Sequence, residues 1–166
     1  QAGVAPDLML LSKGITGGFL PLACVLASDA IYQAFYDDDV ARGFLHSHSY
    51  TGNPLACAAA LAVLDIFRDD GVIAANRARG ARFDAIAAPL ASHPVARDFR
   101  RCGMILAFEV DSGRADFARW CFAEGIARGI LLRPIGRTVY LMPPYVIADD
   151  EFALLVDRTR AILDGA

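Results

Sequence analysis

A mixed α/β chain in two parts is what the sequence predicts, and three observations carry that expectation. Short apolar runs of strand length alternate with longer segments of helical period. The break Asp69-Asp70-Gly71 interrupts them, so residues 1–69 and 70–166 read as separate parts. The composition, 55% hydrophobic and 21% charged over 166 residues, is that of a soluble globular protein able to bury a core.

In the first part, Leu8 to Ser12 is an apolar run long enough for a buried strand, and it stops at Lys13-Gly14. A second apolar run covers Leu22 to Ala27, after which Asp29 is placed to cap a short helix over Ala30 to Phe35. Tyr36 through Thr51 is polar, aromatic and irregular. Asn53-Pro54 then starts a helix, because Asn accepts from orphan backbone amides and Pro is preset for the first turn. This helix is predicted to reach about Arg68. Apolar on nearly every face before Asp65, it is expected to be largely enclosed by protein.

The second part opens on an amphipathic stretch from Val72, with Phe83, Ile86 and Leu90 along one side and Arg77, Arg79 and Arg82 on a solvated face. Strands are predicted at Met104 to Val110, Ile130 to Leu132 and Thr138 to Met142, with a helix at about Asp116 to Arg128. The last helix has the clearest period, Phe152, Leu155, Val156, Thr159, Ile162 and Leu163 forming one stripe behind Asp149, Asp150 and Glu151. This part is α+β in pattern.

Charge and cysteine usage narrow the function classes. The net charge is −3, the pI is about 5.5, and basic and acidic residues are interleaved, so nucleic acid is not an expected partner. The longest apolar stretch, Leu55 to Leu64, is ten residues, roughly half of a bilayer span. No membrane partner is therefore expected. Cys24, Cys57, Cys102 and Cys121 form no Cys-x-x-Cys pair, which argues against a zinc site and for free thiols in a reducing cytosol. The chain opens at Gln1 with no targeting segment before its first motif, and it reads as part of a longer, cytoplasmic protein.

The chemistry is concentrated in three segments. By itself Lys13-Gly14 could be a surface lysine before a glycine turn. A phosphate loop of the NTPase type is excluded by order, since it needs Gly before the lysine and Ser or Thr directly after it, whereas here the order is Ser12-Lys13-Gly14. The whole segment Asp7-Leu8-Met9-Leu10-Leu11-Ser12-Lys13-Gly14-Ile15-Thr16-Gly17-Gly18 resembles the lysine segment of the class III pyridoxal-phosphate-dependent aminotransferases. The resemblance implies that Lys13 carries the cofactor, pyridoxal 5'-phosphate, covalently and then shuttles the substrate Cα proton. Burial at the strand end would lower its pKa toward that use.

His46-Ser47-His48-Ser49-Tyr50-Thr51-Gly52-Asn53-Pro54 is similar to the loop-then-helix segment of the same family. Taken alone it could be a His-rich surface loop or a stray metal site. With Lys13, the resemblance implies that Ser49 binds the phosphate of a neighbouring subunit's cofactor, while Ser47 and His48 face substrate and cofactor. The third segment, Leu132 to Tyr145, resembles the small-domain segment of the family's biotin-pathway branch, in which the position of Arg133 pairs with a substrate carboxylate. A guanidinium fork suits that role through two parallel hydrogen bonds. A structural ion pair is the alternative for Arg133.

Together these resemblances imply the type I transferase fold, residues 1–69 completing the large cofactor-binding domain and 70–166 forming the small C-terminal domain. They imply a homodimer with shared sites that moves an amino group from a small-molecule donor to a keto acid acceptor. For the biotin-pathway branch the acceptor is 7-keto-8-aminopelargonate and the implied donor is S-adenosyl-L-methionine. Users of that donor commonly have Gly-Pro-Thr where this chain has Ser47-His48-Ser49, and Ser-type loops occur with other donors such as lysine. A class III enzyme for ω-amino acids and a non-catalytic assembly domain are the other readings. The family's aspartate for the pyridine nitrogen matches no segment here, so this chain by itself is expected to be inactive.

Overall fold

The structure, a computed structural model, describes residues 3–166, and the chain divides into two compact units between Val72 and Ile73.

In the first unit, β1 (Leu8–Leu11) pairs antiparallel with β2 (Cys24–Ala27), Leu8 lying opposite Ala27 and Leu11 opposite Cys24. Between the strands the chain turns through a short 3-10 segment, Lys13–Thr16, that packs against the long helix α2 (Pro54–Asp69). Gly17 makes that packing possible: its φ is +62°, and a Cβ there would sit 3.2 Å from Cγ2 of Val63. The short helix α1 (Asp29–Phe35) begins one residue earlier than predicted. Its cap position is Ser28, not Asp29, which instead places its carboxylate in the first turn where the helix dipole favours it. At α2 the expected cap forms, Asn53 Oδ1 accepting from the Leu55 N–H at 3.1 Å.

Within this chain α2 is not enclosed. Ala56 and Ala60 are its buried residues, whereas Leu55, Leu61, Leu64 and Ile66 are each more than half exposed. The physical reason is a shortage of partners: β1 is exposed along its whole length and the Lys13–Thr16 turn covers one stripe of the helix. An all-apolar helix states a demand for burial that the first unit does not meet.

The second unit contains α3 (Val72–Ile86, opening at the junction), α4 (Ala88–Ala91), a three-stranded antiparallel sheet, α5 (Phe117–Ala127) and α6 (Asp149–Leu163). The sheet runs β3 (Ala96–Cys102), β4 (Ile105–Val110), β5 (Thr138–Leu141) in that spatial order. Leu106, Phe108 and Val110 alternate into the core, where they join Phe83, Leu90, Phe152 and Val156. The rings of Phe83 and Phe152 stack with centroids 3.8 Å apart, joining α3 to the predicted stripe of α6.

Three local expectations change here. Ile130 to Leu132 is not a strand: Ile130 and Leu132 are buried, but the Ile130 N–H is spent on the Gly125 carbonyl at 2.9 Å, closing the end of α5. The helical pattern through Leu90 breaks at Ala87, ahead of Pro89 in the first turn of α4. Of the three arginines read as a solvated face, Arg82 pairs with Asp149 and Arg79 donates to the Tyr145 carbonyl, so two of them fasten α3 to the segment around the start of α6. Strand β3, with its run of arginines, had no counterpart in the sequence reading.

Candidate active site

A cleft of about 1110 Å³ opens in the first unit between the Lys13 turn and the loop that enters α2. Ser12 and Lys13 form one part of its wall, Phe19 through Ala23 another, and His48 with Tyr50 to Asn53 a third. The strand β1 ends at Leu11, Ser12 is extended, and Lys13 turns sharply with φ +53°. For a residue with a Cβ that left-handed conformation costs on the order of 1 to 3 kcal/mol, and such residues gather at functional sites. Lys13 is exposed to the cleft, so the burial expected at this strand end is not supplied by the first unit. It is also the single lysine in the chain, a signal that the sequence carries in plain view.

The loop before α2 is ordered by its own hydrogen bonds. The His48 N–H donates to Thr51 Oγ1 at 3.0 Å, the Thr51 N–H to the His48 carbonyl at 2.9 Å, and the Asn53 N–H to the Tyr50 carbonyl at 3.1 Å. His48 Nδ1 accepts from the Tyr50 N–H at 3.1 Å, which assigns the proton of the neutral ring to Nε2. Nε2–H is thereby left to donate, and the Thr51 hydroxyl, already an acceptor, keeps its own proton for a second partner.

Lys13 and His48, predicted from two separate segments, therefore meet at one cleft. Ser47 and Ser49 flank His48 in the same loop and are exposed, outside the residues that form the cleft wall. Arg133 belongs to the second unit, where it is exposed beside buried Leu132. No hydrogen bond or ion pair engages its guanidinium among the described residues, unlike Arg82, Arg100 and Arg101, which pair with carboxylates. The structural ion pair considered for Arg133 is not formed there. Among the described residues no cluster of His, Cys, Asp or Glu could hold a metal ion, and no helix is long and apolar enough to cross a membrane. Ser12, Tyr50 and Thr51, which lie within the matched segments, and the Phe19-Leu20-Pro21-Leu22 wall carry no site role in the sequence alone. Their one signal is position, directly before Lys13, directly after Gly17-Gly18 or directly before Gly52.

The model of the family described as aminotransferase class-III matches residues 1–163. The chain belongs to the class III aminotransferase family. Among the curated class III relatives, the adenosylmethionine-8-amino-7-oxononanoate aminotransferase of Helicobacter pylori is 44% identical over 99% of this chain and 39% of its own length. The solved structure of the aminotransferase of the same name from Methanocaldococcus jannaschii superimposes with a TM-score of 0.85 at 33% identity, over 98% of this chain and 39% of that one. An amine transaminase from an uncultivated Pseudomonas species, solved in its pyridoxal-phosphate-bound form, gives 0.85 at 32% identity over 98% and 39%. The fold is thus the α/β fold of these transferases, and the chain spans well under half the length of the class III relatives it matches.

Proposed function

We propose that this chain is the lysine-bearing part of a pyridoxal-phosphate-dependent aminotransferase that converts 7-keto-8-aminopelargonate to 7,8-diaminopelargonate. The observation that carries the reading is Lys13, the one lysine of the chain, held left-handed on the wall of a cleft that His48 and Thr51 also line. The choice of acceptor rests on the name and 44% identity of the Helicobacter pylori relative. On this reading the first unit completes the large cofactor-binding domain and the second is the small C-terminal domain.

The residues present fit the cofactor. Lys13 offers an amine, His48 Nε2–H and the Thr51 hydroxyl are donors for an anion, and Phe19, Leu20 and Leu22 provide an apolar wall. Pyridoxal phosphate, when bound, supplies the carbonyl that holds the amino group and a ring that draws electrons from the substrate Cα. Lys13 Nζ would hold the cofactor, and its amine is placed to carry the proton of the substrate Cα. Ser49, exposed beside the cleft wall, donates to the phosphate in a partner subunit of a homodimer, and Ser47 meets substrate. Arg133, its guanidinium unengaged, pairs with the acceptor's carboxylate. The donor in this reading is S-adenosyl-L-methionine, with lysine as the alternative because Ser47-His48-Ser49 replaces Gly-Pro-Thr. The protein is read as cytoplasmic.

Borohydride reduction of the full-length, cofactor-loaded protein followed by peptide mapping is the direct test. The label is expected on Lys13, and Lys13→Ala is expected to abolish transamination; a label on another lysine would overturn the assignment. Acceptor assays then separate the second reading, an amine or ω-amino acid transaminase, which the likeness to the Pseudomonas enzyme supports.

A further inference from the structure

Among the described residues before Ala56, one alone is fully buried, and it is polar: Thr16, at 0% exposure. Of its neighbours in sequence Ile15 is half-buried, and Gly14, Gly17, Gly18 and Phe19 are exposed. Its hydroxyl donates to the Leu20 carbonyl at 2.5 Å, a short bond whose donor is buried and whose acceptor residue is 38% exposed. The backbone of the same turn is closed by three longer bonds, Ile15 N–H to Ser12 at 3.3 Å, Gly17 N–H to Gly14 at 3.0 Å and Phe19 N–H to Thr16 at 3.2 Å. Thr16 thus joins the turn that starts at Lys13 to the point where the Leu20-Pro21-Leu22 wall of the cleft begins.

We infer that Thr16 is a positioning residue, whose buried hydroxyl ties the Lys13 turn to the cleft wall and so keeps Lys13 in its left-handed conformation facing the cleft. The reason is energetic. A left-handed residue with a side chain relaxes to negative φ unless its surroundings over-determine it. Ser12, Gly14 and Lys13 are exposed and impose little by packing, so the restraints are the three backbone bonds of the turn, half-buried Ile15, the seat of Gly17 on Val63 and the Thr16 bond, of which the Thr16 bond is the one that a side chain makes to the cleft wall. Removing the hydroxyl while keeping the shape would let Lys13 leave its left-handed conformation for part of the time. The site would keep its residues and lose their alignment.

This inference rests on the reading of Lys13 as the cofactor-bearing residue, and the test distinguishes the two. In the full-length apoprotein, the rate at which added pyridoxal phosphate becomes borohydride-trappable on Lys13 is measured for the parent and for Thr16→Val, Thr16→Ala and Thr16→Ser. The pH dependence of the absorbance of the lysine-linked cofactor is recorded for each. Thr16→Val is expected to slow attachment by about tenfold, the equilibrium worth of one intramolecular hydrogen bond, and to shift the spectral midpoint. Thr16→Ser is expected to restore both. Thr16→Ala, with less bulk to place, carries the same expectation as Val. Parent-like attachment and spectrum in either folded variant would overturn the positioning role. If neither folds while Thr16→Ser does, the hydroxyl serves folding alone and the role is likewise overturned. Trapping of the parent's cofactor on a different lysine would overturn this inference together with the functional reading.

Discussion

At the scale of single residues, Lys13 and Arg133 show how differently chemistry is written into a chain. Lys13 is marked twice, by its motif and by its left-handed backbone, and the backbone could not be read from sequence because φ is set by the turn it enters. Arg133 is marked by motif alone, and what the structure adds is that its guanidinium has no partner among the described residues while other arginines of the same unit are paired. An unpaired guanidinium beside an apolar core is free to take a planar carboxylate by two parallel bonds. In the full-length enzyme Arg133→Lys is expected to keep the charge but lose the fork. The acceptor's kcat/KM should then fall by one to two orders of magnitude, about 1.5 to 3 kcal/mol of charge-assisted hydrogen bonding, with cofactor affinity unchanged. Steady-state kinetics with varied acceptor, beside a cofactor titration, checks this. An equal loss in both would mark Arg133 as structural.

Elements were legible where one period dominated. The stripe of α6 was read residue by residue because Phe152, Val156, Thr159, Ile162 and Leu163 face a complete core. Strand β3 was not legible, since Arg97, Arg100 and Arg101 lie on an edge where long charged side chains pair with Asp111, Glu109 and Asp84 instead of alternating with apolar ones. Ile130 to Leu132 failed in the opposite sense. Two buried residues in an alternating run look like a strand, yet the loop after α5 buries the same residues without a ladder. On α5 itself, Cys121 is fully buried, and that burial pushes its thiol up to about 11. A folded-state value above the ordinary one means that the unfolded chain loses its proton first as pH rises. The stability tied to the protonated thiol is therefore whole below about 9 and is lost between about 9 and about 11. Denaturant midpoints measured across that window are expected to fall, and Cys121→Ala, referred to its own value at pH 8, should fall less. Matching slopes for the two proteins would refute the assignment.

The whole molecule divides into two units of unequal self-sufficiency, and the last prediction follows from that inequality. The second unit encloses Phe83, Leu106, Phe108, Phe152 and their neighbours in one continuous core, with aromatic stacking, a capping-box bond from the Ala148 N–H to Glu151 and ion pairs that cross between elements. The first unit has a two-stranded sheet open on both faces and a long apolar helix covered along one stripe; Leu10 is 76% exposed, Leu55 70% and Phe19 86%. A two-stranded sheet has marginal stability on its own in water, and contiguous exposed apolar surface of this kind calls for a protein partner. Sequence reading located the apolar residues of α2 correctly but assigned them to an interior that this chain does not itself provide. The chain of 166 residues, produced alone, is therefore expected to bind a hydrophobic dye through its first unit, to oligomerise nonspecifically, and to turn over no keto acid when given pyridoxal phosphate and an amino donor. Residues 73–166 produced alone are expected to unfold in one cooperative transition without binding the dye. Calorimetry on that segment, dye fluorescence on both and an acceptor assay on the longer one provide the check. Turnover by the 166-residue chain at a rate comparable with the full-length enzyme would show that its cleft is a complete active site, contrary to the exposure seen at Lys13, Phe19 and Leu55.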